Sequence, residues 1–314
     1  MAAPTTPLNL AVRAVNLYGD SLMKDPNVLG VAVGLKQVGG KSTGDYAVTL
    51  FVAQKVSRAT LPSSVMIPGK LSVSGQDVLT DIIPASGPFY QHANISNVRP
   101  AHPGTSIGEI SITAGTFGAV VYANSDGSKR ILSNNHVLAA NNTAPLGSPI
   151  VYPGPADGGV APANTIAKLS RYIPIIPEAQ GSNAVDAALA TPTDPSAIDD
   201  TPLNGVPAPS KANPAVGLLW GGDSATQSFY SPIDTVLNLL DVRLAGNDCS
   251  VAPLIGMEVQ KTGRTTERTT GQITNVNAIL RVGIPGIGTA VFKNQFITTF
   301  MSLGGDSGSV AVKL

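Results

Sequence analysis

The stretch of this chain best suited to nucleophilic chemistry is Gly304-Gly305-Asp306-Ser307-Gly308-Ser309. Acyl transfer needs an exposed hydroxyl and backbone N–H groups aimed at the oxygen that becomes negative during attack. A glycine ahead of the serine lets the chain turn so that the N–H groups of Gly305 and Ser307 converge on one point. The same string also suits an ordinary Gly-rich turn, so its meaning depends on partners elsewhere.

A serine nucleophile needs a base that titrates near neutrality, most easily histidine. The chain has three, His92, His102 and His136. His92 and His102 stand in loop-like surroundings. His136 sits in Leu132-Ser133-Asn134-Asn135-His136-Val137-Leu138, a strand running into a polar turn and then back to apolar residues. The third member is sought among acids in apolar settings, because a buried carboxylate must be paired. Asn183-Ala184-Val185-Asp186-Ala187-Ala188-Leu189-Ala190 supplies one, Asp186, where a histidine N–H would satisfy the carboxylate and fix the tautomer. Asp199 and Asp200 lie in a polar loop and are weaker alternatives. The order along the chain is His136, Asp186, Ser307.

These residues must be positioned by a scaffold, and the composition limits which. Of 314 residues only 13% are charged, and Gly and Pro are frequent (33 and 25). Many short strands joined by turns fit this. The formal net charge is zero and no basic block occurs, which argues against a nucleic-acid partner. No apolar run is long enough for a membrane span. The opening residues lack the pattern of a signal peptide, and a single cysteine, Cys249, allows no internal disulfide. These features predict a cytoplasmic protein. No His/Cys cluster suggests a metal, and the chemistry above requires no cofactor.

Three units are expected. Residues 1–97 form a small α+β domain, with an amphipathic helix around Leu8, Leu10, Ala11, Val15 and Leu17 and strands at 28–36, 46–55 and 78–83. The turn between the first two strands is Gly39-Gly40-Lys41-Ser42-Thr43-Gly44. Residues 98–200 form a first small barrel with strands at 116–122, 130–133, 150–152, 165–173 and 184–190. Residues 201–314 form a second, entered through a Pro-rich linker, with strands at 215–220, 257–261, 271–276, 278–282, 292–300 and 309–312. One helix is expected at 232–240, with Pro232 in its first turn and Ile233, Val236, Leu237 and Leu240 as its apolar stripe.

The order of the three residues is that of the chymotrypsin-like peptidases. The sequence resembles that class, and more closely its disulfide-free bacterial members related to the plant Narrow Leaf proteins. The resemblance extends to Val259-Gln260-Lys261-Thr262-Gly263-Arg264-Thr265-Thr266, to the leading helix and to Gly30-Val31-Ala32-Val33-Gly34. It implies a mainly β, double-β-barrel fold after the α+β domain. It implies a serine endopeptidase with His136, Asp186 and Ser307 as triad, Gly305 and Ser307 as oxyanion donors, and a polypeptide as substrate. An inactive scaffold and an esterase with the same site are the alternatives, and the N-terminal domain is a candidate surface for self-association.

One departure stands out. The family places a pocket-lining strand and a closing helix after the serine, where this chain has seven residues. Asn213-Pro214-Ala215-Val216-Gly217-Leu218-Leu219-Trp220-Gly221-Gly222 and the segment from Ser231 to Leu240 resemble those pieces, but precede it. A circularly permuted second barrel is expected, with residues 216–220 antiparallel to residues 309–312; an insertion combined with a truncation is the alternative. By resemblance, Leu219, Trp220 and Gly221 form a wall of the specificity pocket, and Met301 and Ser302 its base. Leu219 stands where the family often has a small polar residue that supports the triad acid.

Overall fold

The computed structural model describes residues 6–52, 55, 66–84, 94, 95, 97–224, 227–245 and 249–314. His92, residues 53 and 54 of the strand expected at 46–55, and Asn247-Asp248 before Cys249 lie outside them. The chain opens with α1 (Pro7–Leu22), β1 (Val28–Val38), β2 (Lys41–Val52), β3 (Lys70–Val73) and β4 (Gln76–Pro84). The Thr6 hydroxyl caps α1 by accepting the Asn9 N–H at 3.3 Å, and Pro7 occupies the first turn, where its missing N–H costs nothing. Ala11, Ala14 and Val15 bury that helix against Val31, Val33, Val48 and Leu50. β1 and β2 join through Gly39-Gly40 alone, both with positive φ, which matches the twist of a two-residue hairpin.

Residues 97–200 supply β5 (Ser106–Glu109), β6 (Gly115–Thr116), β7 (Ala119–Ala123), β8 (Lys129–Ser133), the short α2 (Asn135–Leu138), β9 (Pro149–Val151), β10 (Thr165–Tyr172) and β11 (Ala188–Pro192). After residue 214 come β12 (Ala215–Ser224), β13 (Gln227–Pro232), α3 (Ile233–Leu240), β14 (Val242–Arg243), β15 (Glu258–Gly263), β16 (Glu267–Ile284), β17 (Gly288–Thr299) and β18 (Val310–Lys313). The first curled sheet has the order β14-β7-β8-β11-β10-β9-β5-β6, around a core that includes Phe117, Ile131, Leu138 and Ile150. In the second, β15-β18-β12-β13-β17-β16 closes on itself, because β15 also pairs with β16. Closure removes the open edges that would otherwise stay exposed. β12 runs antiparallel to β18, with Gly217 opposite Ala311 and Leu218 opposite Val310. The fold is mainly β, two curled sheets preceded by a small α+β part, as the sequence implies.

The structure differs from the sequence reading in several features, among them strands β3, β5 and β13, which were not expected. Asp186 lies just ahead of β11 rather than inside a strand. The two strands expected at 271–276 and 278–282 are one, β16, whose register shifts between Asn275 and Ala278 while Asn277 takes φ +51°. Asparagine tolerates that left-handed geometry, so the strand bulges instead of ending. Lastly, the hydrogen bonding does not stop at residue 97: β1 pairs with β16, Gly30 opposite Leu280 and Gly34 opposite Asn275, so the N-terminal strands extend the second sheet.

Tyr230 and Phe296 stack at 5.0 Å in the closed barrel, both fully buried. Phe296→Ala leaves a cavity there and is expected to cost about 3–5 kcal/mol. Urea unfolding of the purified variant checks this.

Candidate active site

α2 begins directly after β8, so His136 is carried on a turn fixed at both ends. Asn135 is buried; its amide donates to Asn142 Oδ1 (2.7 Å) and to the Ile173 carbonyl (2.8 Å), and its Oδ1 accepts the Asn142 N–H (3.0 Å). Asn142 in turn bonds the backbone of Ile175 through both side-chain atoms. The turn is thereby pinned to the chain entering Asp186. The Asp186 carboxylate is 4% exposed. One oxygen accepts the Asn135 N–H (2.7 Å) and the His136 N–H (3.3 Å), and the other meets His136 Nδ1 directly. The Asn134 amide holds the Asp186 carbonyl at 2.7 Å. With Nδ1 on the carboxylate, the orientation of the His136 ring is set.

Ser307 lies across the same cleft, on the loop joining β17 to β18. Thr116 grips this loop twice, donating its hydroxyl to the Gly305 carbonyl (2.9 Å) and its N–H to the Ser307 carbonyl (2.8 Å). Gly305 has φ +96° and Gly308 φ +97°. A Cβ at Gly305 would collide with Thr265 Oγ1, and one at Gly308 with Ser133 Oγ and the Thr116 carbonyl, so neither position admits a side chain. Among the described residues, the N–H groups of Gly305 and Ser307 have no acceptor. They are donors available to an incoming oxygen.

Between Gly305 and Ser307 is Asp306, fully buried. It accepts five hydrogen bonds, from the N–H groups of Leu303 (3.0 Å), Thr265 (2.8 Å) and Thr266 (3.0 Å), the Thr266 hydroxyl (2.6 Å) and Lys261 Nζ (3.1 Å). The Lys261 side chain is likewise wholly buried. Burial pushes its ammonium pKa down, and Asp306 opposes this. Both residues stand in segments that the sequence marks, but nothing in either segment shows that they pair.

The two sheets are clamped behind the loop. Arg264 binds Asp157 through Nε (2.9 Å) and Nη2, while Ser106 also donates to Asp157. The Arg264 N–H reaches Thr116 Oγ1 at 3.0 Å. Burial pushes the Asp157 carboxyl up, but the hydrogen bonds from Arg264 and Ser106 and the Arg264 charge outweigh it, leaving the group below the ordinary 3.8.

The cleft holds about 690 Å³ and is lined by His136, Asp186, Ser307, Gly305, Leu219, Trp220 and Gly221 together. Met301 and Ser302, the expected pocket base, are buried behind that lining. Ser302 donates to Ser228 Oγ at 2.7 Å, as does the Met301 N–H at 3.1 Å, and Leu303 is the neighbour that faces the cleft. Leu219 shares its backbone with the serine loop, accepting the Gly308 N–H (2.8 Å) and donating to the Ser309 carbonyl (2.9 Å). Its side chain offers Asp186 no hydrogen bond. A different residue ties this region together. Gln295 accepts the Trp220 indole N–H and the Ser231 hydroxyl, each at 2.8 Å, and donates to the Ala184 carbonyl (2.9 Å), two residues before Asp186. Its position in a strand gave no sign of this role. Among the described residues no group of three or more His, Cys, Asp or Glu could hold a metal ion, and no helix is long and apolar enough to cross a membrane.

Residues 5–82, which include the leading helix and the strand at 30–34, match the NARROW LEAF 1 N-terminal domain. No curated protein matches the chain. The chain is similar in structure to several solved proteases. One is a glutamic acid specific serine protease that uses a histidine triad in substrate binding (18% identity, 67% of this chain and 79% of that chain, TM-score 0.38). Others are the Nocardiopsis protease NAPase (17%, 68% and 79%, 0.37) and Thermobifida fusca protease A (16%, 67% and 76%, 0.34).

Two outcomes follow from the buried charges. Lys261→Met strands the Asp306 carboxylate and is expected to cost about 3–5 kcal/mol, whereas Lys261→Met with Asp306→Asn should recover part of this; urea unfolding of the single and double variants measures it. For Asp157, a folded pKa below the unfolded one means its contribution is complete above pH 3.8 and disappears as pH falls through the lower folded value. Asp157→Asn should therefore flatten the loss of stability below about pH 4, followed by thermal melts across pH.

Proposed function

We propose that the chain is a serine peptidase of the chymotrypsin-like class. The observation that carries this reading is the direct contact of His136 Nδ1 with buried Asp186 in the cleft that also holds Ser307, with the N–H groups of Gly305 and Ser307 bonded to no acceptor among the described residues. In the proposed reaction, the second nitrogen of His136 takes the Ser307 proton as Oγ attacks the peptide carbonyl. The N–H groups of Gly305 and Ser307 hold the oxyanion. The protonated histidine then delivers its proton to the leaving amine, and water releases the acyl group by the same steps in reverse. The Asp186 carboxylate stabilises the imidazolium without taking its proton. Leu219, Trp220 and Gly221 belong to the substrate wall in this reading.

The second barrel is proposed to be circularly permuted. Support comes from β12 and α3 preceding β15 in the chain while β12 nevertheless pairs with β18, beside the serine loop. An esterase using the same groups is separated by assaying peptide and ester substrates side by side.

Ser307→Ala and His136→Ala are each expected to lower turnover about 10⁴-fold or more. Asp186→Asn should also be severe, because it favours the wrong histidine tautomer. A fluorophosphonate probe, followed by intact mass, should label the parent chain once and leave Ser307→Ala unlabelled. A parent chain that stays unlabelled, or a Ser307→Ala variant with full turnover, would remove the assignment.

A further inference from the structure

Much of the cleft wall does not come from the segments that carry His136, Asp186 and Ser307. Leu29 of β1 and Phe51 of β2 line it, together with Leu280, Ile284 and Phe292 of the β16–β17 hairpin. Phe51 packs in one cluster with Ala32, Trp220, Leu280 and Phe292. Trp220 stacks on Phe292 at 4.9 Å and on Phe229 at 5.7 Å. The N-terminal strands therefore form and brace one side of the cleft.

This wall is held in place. Arg281 binds Glu178 at 2.7 Å and reaches the Val28 carbonyl at 3.3 Å. Asn141, in the turn after α2, donates to the Pro285 carbonyl at the hairpin tip (3.2 Å), and the Asn183 N–H donates to the Val291 carbonyl (2.7 Å). The hairpin thus spans from the second sheet to the loops that flank His136 and Asp186. Among the described residues, the ionisable ones that line the cleft are His136, Asp186 and Arg281. The first two face each other and the third is already paired with Glu178. Among the described residues a charged group entering here would find no unpaired opposite charge, whereas an apolar one would displace water from aliphatic and aromatic surface.

We infer that the N-terminal segment and the hairpin build an apolar subsite beside the triad, which takes a leucine- or phenylalanine-like side chain of a polypeptide near its scissile bond. Leu29 and Ile284, both part-exposed in the wall, are its specificity determinants. β18 pairs with β12 only as far as Leu218, so the Trp220-Gly221 stretch beyond it is where an extended peptide would lie alongside. The inference rests on the peptidase reading for the identity of the ligand, but its test does not require turnover.

The test uses the full chain carrying Ser307→Ala and acetylated tetrapeptide amides. In these, one position in turn is Leu, Phe, Asp, Lys or Ser and the others are Ala, with binding followed by calorimetry. Expected is a position at which Leu or Phe binds at least about tenfold tighter than Asp or Lys, the scale of one buried apolar side chain. Leu29→Asp and Ile284→Asp, added separately, should each bring that ratio to within about twofold. Two variants from different strands guard against one failing to fold, which near-ultraviolet circular dichroism reports. No binding, no preference, a preference for Asp drawn to Arg281, or an undiminished ratio in the folded variants would each overturn the subsite. If the peptide preference holds but the parent chain resists the fluorophosphonate, the subsite stands and the peptidase reading falls.

Discussion

The buried ion pair of Lys261 and Asp306 is the constraint on which the site's geometry rests. Two charges withdrawn from water are costly, and the cost is offset only where geometry and hydrogen bonding are nearly complete. Asp306 meets that demand with five donors, three of them backbone N–H groups from the turn between β15 and β16 and from the serine loop itself. The loop cannot rotate without stranding a charge, so the conformation of Gly305 and Ser307 on either side of it is set. Lys261 stands on β15, which pairs with both β16 and β18. Barrel closure and the orientation of the serine loop are thus one physical problem with one solution.

A second requirement follows from the division of labour between sheets. His136 and Asp186 come from the first sheet and Ser307 from the second, so their relation depends on the seam. The seam is held by Arg264 on Asp157 and by Thr116, which reaches the serine loop from the first sheet. Gly308 lies so close to Ser133 and Thr116 that no side chain fits between them. On the cleft side Gln295 links Trp220 to the chain ahead of Asp186. Together these contacts let a polar network fix positions that apolar packing alone would leave free to slide.

What could be read from the sequence was what chemistry makes unusual. Ser307 among glycines, His136 after a strand and Asp186 among alanines and valines are odd residues for their surroundings, and the structure brings all three to one cleft. Helix α3 was legible because Pro232 and the stripe from Ile233 to Leu240 are local signals. Partners far apart in the chain carried no such mark. Nothing around Lys261 names Asp306 as its partner, and nothing in the turn at Asn135 names Asn142. The pairing of β1 with β16 joins residues some 250 apart, as Gly30 to Leu280. No period in either strand encodes it. The bulge at Asn277 made one strand look like two.

That bulge also explains how an N-terminal segment comes to matter to the cleft. β16 pairs with β15 up to Gln272, inside the closed barrel, and with β1 from Asn275 to Leu280. A regular strand would have to continue around the barrel or end. The register shift and the left-handed Asn277 turn it out of the barrel instead, carrying β17 with it, and the two arms then need new neighbours. β1 supplies the hydrogen bonds, and Phe51 and Ala32 supply the packing for Leu280 and Phe292. Without those strands the projecting hairpin would expose an apolar face and an unpaired edge. The same extension that creates this demand brings the hairpin tip to Asn141 near His136, so the wall of the cleft and the N-terminal segment are parts of one structure.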